Sequence, residues 1–223
     1  MGDAGFPVID HVFLCTSRGA PDAELLVKAG LTEGTSNRHM GQGTACRRFF
    51  FTNAMLELLW LADETELNAP QARRTRLAER FAGGAAVSPF GVILRPAAGT
   101  APVYPFPSWN YRPPEMPGLD LEIAERTGLE EPMWCYLKSG EPPAAWPEER
   151  RQALQHPAGL EELTKVQIAW PKLQPDTVTH QMAKRGIIGL HAGEPHLLEL
   201  QFDHGRRGSC LDFRPRLPLV LRA

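Results

Sequence analysis

The stretch Ala54–Trp60, which reads AMLELLW, is the segment of this 223-residue chain that most constrains its fold. Six of its seven residues are apolar, and Glu57 places a carboxylate at the centre. A short, almost continuous apolar run predicts a buried strand. An ionised carboxylate inside such a strand is costly unless a cation, a hydrogen-bond donor or a metal meets it. Glu57 therefore indicates the interior of a binding site.

A second Leu-Glu-Leu pattern lies near the C-terminus, in Leu197–Phe202 (LLELQF). Side chains alternate between the two faces of a strand, so Gln201 and Asp203 share the face of Glu199. We expect this strand to line the same pocket as Glu57.

The residues before Glu57 predict a strand, a helix and further strands. Val8–Thr16 is rich in β-branched and aromatic residues, and alternation places His11, Phe13 and Cys15 on one face. A helix is predicted from Pro21 to Gly30. Strands are predicted over 44–52 and 54–60, with a short one near 32–36. The first unit therefore reads βαβββ.

The last third repeats this order, which predicts an internal repeat. We divide the chain into a first unit at 1–66, a connecting and degenerate middle unit at 67–160, and a C-terminal unit at 161–223. The middle unit is expected to hold one helix over 70–81, a proline-rich connection over 96–117, and strands over 88–96, 119–123 and 133–137.

Composition excludes several classes of function. The formal net charge is -2, so no overall field favours nucleic acid or anionic lipid. The four cysteines are scattered without a CxxC pair, which is typical of a reducing compartment. The N-terminus lacks a signal-peptide pattern, and no apolar run approaches the roughly 20 residues of a membrane span. We expect a cytoplasmic protein without a nucleic-acid or membrane partner.

Several of these segments resemble one family. The opening DHVFL (10–14), the closing MLELLW (55–60), the RHMGQGT loop (38–44) and PMWCYL (132–137) resemble glyoxalase-like members of the vicinal oxygen chelate superfamily. This superfamily includes glyoxalases, bleomycin-resistance proteins and extradiol dioxygenases. The resemblance implies an α+β fold in which paired βαβββ units form a cup-shaped mixed sheet with helices outside. It also implies a small-molecule ligand or substrate in the cup.

In metal-dependent relatives the cup holds a divalent ion, here Zn, Ni, Mn or Fe. Carried onto this chain, the metal ligands are His11 and Glu57 from the first unit and Glu199 from the C-terminal unit. Lys165 stands where an imidazole or amide is expected, and it offers Glu199 an alternative ionic partner. The middle unit places Tyr136 where the subfamily has Glu. The ligand set is therefore incomplete.

The remaining candidate residues surround this half-site. Glu57 and His39 are candidates for catalytic acid or base. An arginine could clamp a carboxylate or phosphate, and aromatic side chains could form an apolar wall. The candidate substrate-binding residues are Arg38, Arg47, Trp134, Tyr136 and Gln201. Each also has a structural alternative, as a solvated charge or as part of the core.

Two functions stay open at this point. The first is a metal-dependent lyase, isomerase or dioxygenase acting on a small metabolite, which the His11–Glu57 pair favours. The second is a metal-free protein that binds or sequesters an apolar ligand, which Lys165 favours. Members of the superfamily often complete sheets across dimers, so the resemblance is compatible with a homodimer.

Overall fold

A computed structural model describes residues 5–113, 115–116 and 118–223. The expected absence of a signal peptide rests partly on residues 1–4, which lie outside this range, as do Pro114 and Pro117 of the proline-rich connection. Within the described range, no helix is long and apolar enough to cross a membrane.

The first unit has the predicted βαβββ order. Its elements are β1 (Val8–Cys15), α1 (Ala23–Lys28), β2 (Asn37–His39), β3 (Thr44–Phe50) and β4 (Met55–Leu61). The short strand lies slightly later than the expected 32–36. β4 is the Leu-Glu-Leu strand, and it pairs with β1 in parallel, with Glu57 opposite Phe13.

The middle segment contributes four more strands, and its described residues form no helix between them. These are β5 (Phe90–Arg95), β6 (Ser108–Tyr111), β7 (Leu121–Ala124) and β8 (Met133–Leu137). The proline-rich connection occupies the place where the first unit has α1, since proline removes a backbone donor and clashes with the preceding helical turn. β6 lies within this connection, where the sequence analysis predicted no strand.

The two segments form one eight-stranded sheet with the order β2-β3-β4-β1-β5-β8-β7-β6. β1 and β5 pair antiparallel at its centre, so that each half has four strands arranged alike around this pair. The sheet is strongly curled into a half-barrel. The fold is α+β with a cup-shaped mixed sheet and few helices, as the sequence predicts.

The C-terminal segment forms a separate five-stranded sheet. Its elements are β9 (Leu163–Trp170), α5 (Val178–Lys184), β10 (Gly189–Ala192), β11 (Leu197–Phe202), β12 (Cys210–Asp212) and β13 (Leu219–Arg222). Here the strand after the helix pairs with β9 in parallel, and the Leu-Glu-Leu strand β11 pairs with β9 antiparallel. The segment begins with a strand and a helix like the first unit, but four strands follow the helix instead of three, and the strand pairing differs.

The segment predicted as one helix over 70–81 is broken. It contains α3 (Pro70–Arg73) and α4 (Leu77–Ala82), preceded by α2 (Glu64–Leu67). Arg76 interrupts the run with a left-handed φ of 60°. The connection over 141–155 contains only two short 3-10 turns, Pro143–Ala145 and Glu148–Arg150.

The main core lies between the two sheets. Val12, Leu14 and Leu56 from the convex face of the large sheet belong to one buried cluster with Leu198 and Leu200 of β11. A second buried cluster covers the concave face and includes Phe13, Ile93 and Tyr111. The curled sheet therefore has one face in the core and one face that forms the cup.

Candidate functional site

The concave face of the large sheet encloses a cavity of about 650 Å³. One end is polar, and the other is apolar with side chains from β4 to β8. The polar residues near the floor are Asp10, His11, Asn37, His39, Gln42, Arg48 and Glu57. The apolar lining includes Leu59, Leu77, Ile93, Tyr111, Leu121, Ile123, Met133 and Leu137. A cavity of this size and polarity suits a small molecule with a polar head and an apolar body.

Glu57 lies at the polar end and is 5% exposed. Its Oε2 is 4.0 Å from Nε2 of His11. The other ring nitrogen of His11, Nδ1, is 2.6 Å from Oδ1 of Asp10, and Oδ2 of Asp10 is 3.3 Å from Nε of Arg95. One carboxylate oxygen of Asp10 therefore faces His11, and the other forms an ion pair with the buried Arg95. The sequence prediction that His11 and Glu57 lie close together agrees with these distances.

The protonation of His11 follows from this arrangement. A carboxylate only accepts, so Nδ1–H of His11 donates to Asp10 and Nε2 is the nitrogen that faces Glu57. Burial acts to lower the pKa of His11 and is the largest single effect. The charges of Glu57 and Asp10 and the hydrogen bond to Asp10 together outweigh it, so the pKa is raised above its ordinary value.

A second cluster shares Glu57. His39 of β2, Cys46 of β3 and Glu57 each place one ligand atom within 4.8 Å of the others. Nδ1 of His39 is 2.9 Å from Oγ1 of Thr44, which fixes the orientation of the ring. Burial lowers the pKa of His39, so its imidazole is neutral at pH 7. Burial, followed by the charge of Glu57, raises the pKa of the Cys46 thiol, which is therefore protonated at neutral pH.

Among the residues that the structure describes, the opposite half of the cup floor offers no cluster like that of His39, Cys46 and Glu57. Gly91 of β5 lies opposite Phe13 of β1, and a Cβ at Gly91 would be 2.0 Å from the Phe13 ring. The ring of Phe13 therefore occupies the space that a side chain at position 91 would fill. On β8, Cys135 lines the cup between Met133 and Leu137. Burial raises the pKa of this thiol to about 12.

The C-terminal residues of the predicted site lie elsewhere. Alternation along β11 buries Leu198 and Leu200, so Glu199 and Gln201 are on the outer face of the smaller sheet. The carboxylate of Glu199 accepts a hydrogen bond of 2.8 Å from Nε of Arg222. Lys165 is exposed and pairs in register with Gln201, not Glu199. The structure does not bring Glu199 or Gln201 to His11 and Glu57, because the C-terminal strands form their own sheet.

Two predicted arginines hold loops in place. Arg47 lies on the convex face, where Nε donates to Oε1 of Glu33 at 2.7 Å and Nη2 donates to Glu24 at 2.7 Å. Its hydrogen bond to Glu33 is the main cause of its raised pKa. Arg38 is exposed, and Nη2 is 3.5 Å from Oε1 of Glu66. Neither residue lines the cup.

The two predicted aromatic residues of β8 also face the convex side. Trp134 is fully buried, and Nε1–H donates to Oγ1 of Thr179 at 2.9 Å. The hydroxyl of buried Tyr136 accepts a hydrogen bond from the Val103 N–H at 3.1 Å. Both side chains pack in the main core, since Met133, Cys135 and Leu137 take the cup face of this strand.

Sequence reasoning missed Asp10 and Cys46 as site residues. Alternation in β3 could have placed Cys46 and Arg48 on one face, because they are two residues apart. Asp10 and His11 are neighbours and would face opposite sides of a regular strand. A register shift between Ile9 and His11 in the pairing with β5 lets both reach the cavity. No sequence signal indicates that shift.

Comparison with known proteins adds evidence for the fold alone. No protein-family model matches the chain, and neither does any curated protein. A solved structure described as a hypothetical protein from Staphylococcus aureus is similar, with a TM-score of 0.55 and 9% sequence identity. The similarity covers 97% of this chain and 98% of that protein. The whole architecture, including the smaller sheet, is therefore shared with another protein of nearly the same extent.

Proposed function

We propose that this protein is a glyoxalase-like enzyme of the vicinal oxygen chelate superfamily, and that it catalyses proton transfer on a small metabolite as a metal-dependent lyase or isomerase. The observation that carries the proposal is the Asp10–His11–Glu57 array beside the His39–Cys46–Glu57 cluster, at the polar end of a large cup. The two matching four-stranded halves around β1 and β5 support the family assignment.

The residues at the polar end fit a divalent ion. Imidazole, thiolate and carboxylate together suit Zn²⁺, and the ordering of His39 by Thr44 is the kind of outer contact that supports a metal ligand. The ion would be held by His39, Cys46 and Glu57, whereas Glu199 takes no part. Such an ion would polarise an oxygen of the bound substrate. The family resemblance implied a different set of ligands, namely His11, Glu57 and Glu199. The ligands proposed here all come from β2, β3 and β4, which form one half of the cup.

His11 is the residue proposed to move the proton. Asp10 fixes the Nδ1–H tautomer, which leaves Nε2 to exchange a proton with a group bound in the cup. The raised pKa favours the protonated imidazolium, which is the form that donates this proton. The substrate would place its polar head against His11 and Arg48 and its apolar body along β5 to β8.

Metal analysis tests this function. Protein purified without a nickel column is titrated with Zn²⁺, Mn²⁺, Ni²⁺ and Fe²⁺, and each loaded form is assayed for proton exchange on small carbonyl compounds by NMR in deuterated water. One ion per chain, with exchange lost in His11→Asn, supports the proposal. Failure of every metal to bind would contradict it.

A metal-free binding protein of the same fold is the second candidate. The observation that favours it is the packing of Phe13 over Gly91, which fills the half of the floor where a relative would place further ligands. In that case Glu57 and His11 act as a polar anchor for a ligand whose body lies on the apolar lining. Tight ligand binding that is unchanged by a chelator would favour this candidate.

A further inference from the structure

A second cavity, of about 320 Å³, lies beside the cup. It is bounded by α4 and the residues before it, by Trp109 of β6, and by the turn after β7. Thr75, Ile123 and Met133 line both cavities, so the two spaces adjoin. None of the charged residues that line this second cavity belongs to the metal site or the proton-transfer site proposed in the cup.

The lining of this cavity is strongly cationic. Four of its twelve residues are the arginines Arg74, Arg76, Arg80 and Arg126, against one carboxylate, Glu125. Across the ranges that the structure describes, neither Arg74 nor Arg126 forms an ion pair. The guanidinium of Arg74 stacks over the ring of Trp109 at 4.1 Å from its centroid. The stacking holds one cation at the wall of the cavity without neutralising it.

Arg80 adds a buried charge. It is 4% exposed, and Nη1 donates to the carbonyl oxygens of Ser88 at 2.7 Å and Leu129 at 3.2 Å. Its Nε has no hydrogen-bond partner, and no carboxylate of the described residues lies within ion-pair distance. Burial lowers the pKa of this guanidinium to about 10. A buried cation without a counter-ion is costly, which is the property expected of a site completed by an anionic ligand.

We propose that this cavity is an anion-binding subsite that takes the phosphoryl group of a small phosphate monoester, with the ester's organic part lying along the wall shared with the cup. A phosphate monoester carries between about one and a half and two negative charges at pH 7, which matches several guanidinium groups better than a carboxylate does. The apolar side chains of Ile123 and Met133 on the shared wall suit the organic part.

Calorimetry with phenyl phosphate, inorganic phosphate and benzoate, at constant ionic strength, tests the subsite. Phenyl phosphate should bind saturably, and about tenfold more tightly than benzoate. Equal affinity for inorganic phosphate would overturn the ester assignment and identify the free ion as the ligand. Equal affinity for benzoate, or no saturable binding, would overturn the phosphoryl assignment.

Variants distinguish a specific phosphate-binding site from nonspecific attraction of the anion to positively charged surface residues. Arg74 and Arg126 are exposed, so the double variant Arg74→Gln/Arg126→Gln should fold and should weaken phenyl phosphate binding about tenfold or more. Arg73 is an exposed neighbour outside both cavities, and Arg73→Gln should leave the affinity unchanged. Equal losses in the two proteins would contradict the subsite. Glu57→Gln should also bind phenyl phosphate normally, so this result is independent of the metal proposal.

Discussion

Arg47 and Arg48 are adjacent in β3 and serve opposite faces of the sheet. Arg48 lines the cup, while Arg47 is 18% exposed and binds Glu33 and Glu24 on the convex side. We predict that Arg47→Gln lowers the free energy of unfolding by about 1–2 kcal/mol, because it removes a charge-assisted, partly shielded pair. Urea denaturation measures this loss. Zinc affinity of the cup should not change, and a stable variant with weakened zinc binding would contradict the assignment.

His11 and His39 should titrate on opposite sides of the ordinary histidine pKa of 6.5. The charges of Glu57 and Asp10 raise the pKa of His11, whereas burial lowers that of His39. NMR titration of the two imidazoles in the metal-free protein should show this order. In Glu57→Gln both midpoints should fall, since Glu57 raises both. A titration midpoint of His11 below that of His39 would contradict the proposed interaction of His11 with Asp10 and Glu57.

The raised pKa of His11 also has a consequence for stability. The folded state binds the proton more tightly than the unfolded state, so the stabilisation is fully present below pH 6.5 and is lost as the pH rises through the folded-state pKa. The difference in unfolding free energy between the wild type and His11→Asn should therefore shrink as the pH rises from about 5.5 to about 9. If this difference grew over the same pH range, it would contradict a raised pKa of His11 in the folded state.

At the scale of elements, the pairing of β1 and β5 requires a glycine at position 91. A Cβ at Gly91 would clash with the ring of Phe13 at 2.0 Å. Gly91→Ala should cost about 1–3 kcal/mol in urea denaturation, as overpacking does in a tight core. Phe13→Leu in the same chain should recover most of the loss. Gly118→Ala is the control, since no atom that the added Cβ would meet lies within 4 Å of its position in the described part of the chain, and equal losses in both variants would contradict this interpretation.

The sequence predicted most of these elements because their signals are local. The alternation of β1 correctly placed His11 and Phe13 on the cup face, and Gly30 correctly marked the end of α1. The broken helix at Arg76 was not predicted, because a left-handed φ at a non-glycine residue has no local sequence signal. The short β6 was hidden by its proline-rich surroundings, where propensity argues against any regular element.

At the scale of the molecule, a buried hydrogen-bonded link joins strand β8 of the larger sheet to helix α5 of the C-terminal segment. Oγ1 of Thr179 in α5 donates to Glu131 at 2.8 Å and accepts from Trp134 of β8 at 2.9 Å. Thr179→Val should lower the free energy of unfolding by about 1–3 kcal/mol, because it leaves the buried Trp134 N–H without a partner. Denaturation of the single variants and the double variant with Trp134→Phe measures the coupling. Strictly additive losses would contradict the link.

Strand pairing over the whole molecule explains why Glu199 and Gln201 do not lie in the cup. Glu57 and Glu199 have the same local Leu-Glu-Leu context, but β4 joins the curled sheet and β11 joins the other. The convex side of the eight-stranded sheet packs against the inner side of the five-stranded sheet. Glu199 lies on the outer side of the five-stranded sheet and binds Arg222. Local pattern cannot distinguish these outcomes, because they depend on which strands pair over long range.

The two glutamates provide the most direct test of the proposed site. Calorimetric titration with Zn²⁺ is carried out on the wild type, on Glu57→Gln and on the matched control Glu199→Gln. We predict one ion per chain in the wild type, an affinity at least about tenfold weaker in Glu57→Gln, and unchanged binding in Glu199→Gln. Zinc binding that survives Glu57→Gln undiminished, or that is lost in Glu199→Gln, would contradict the assignment of the cup floor as the metal site.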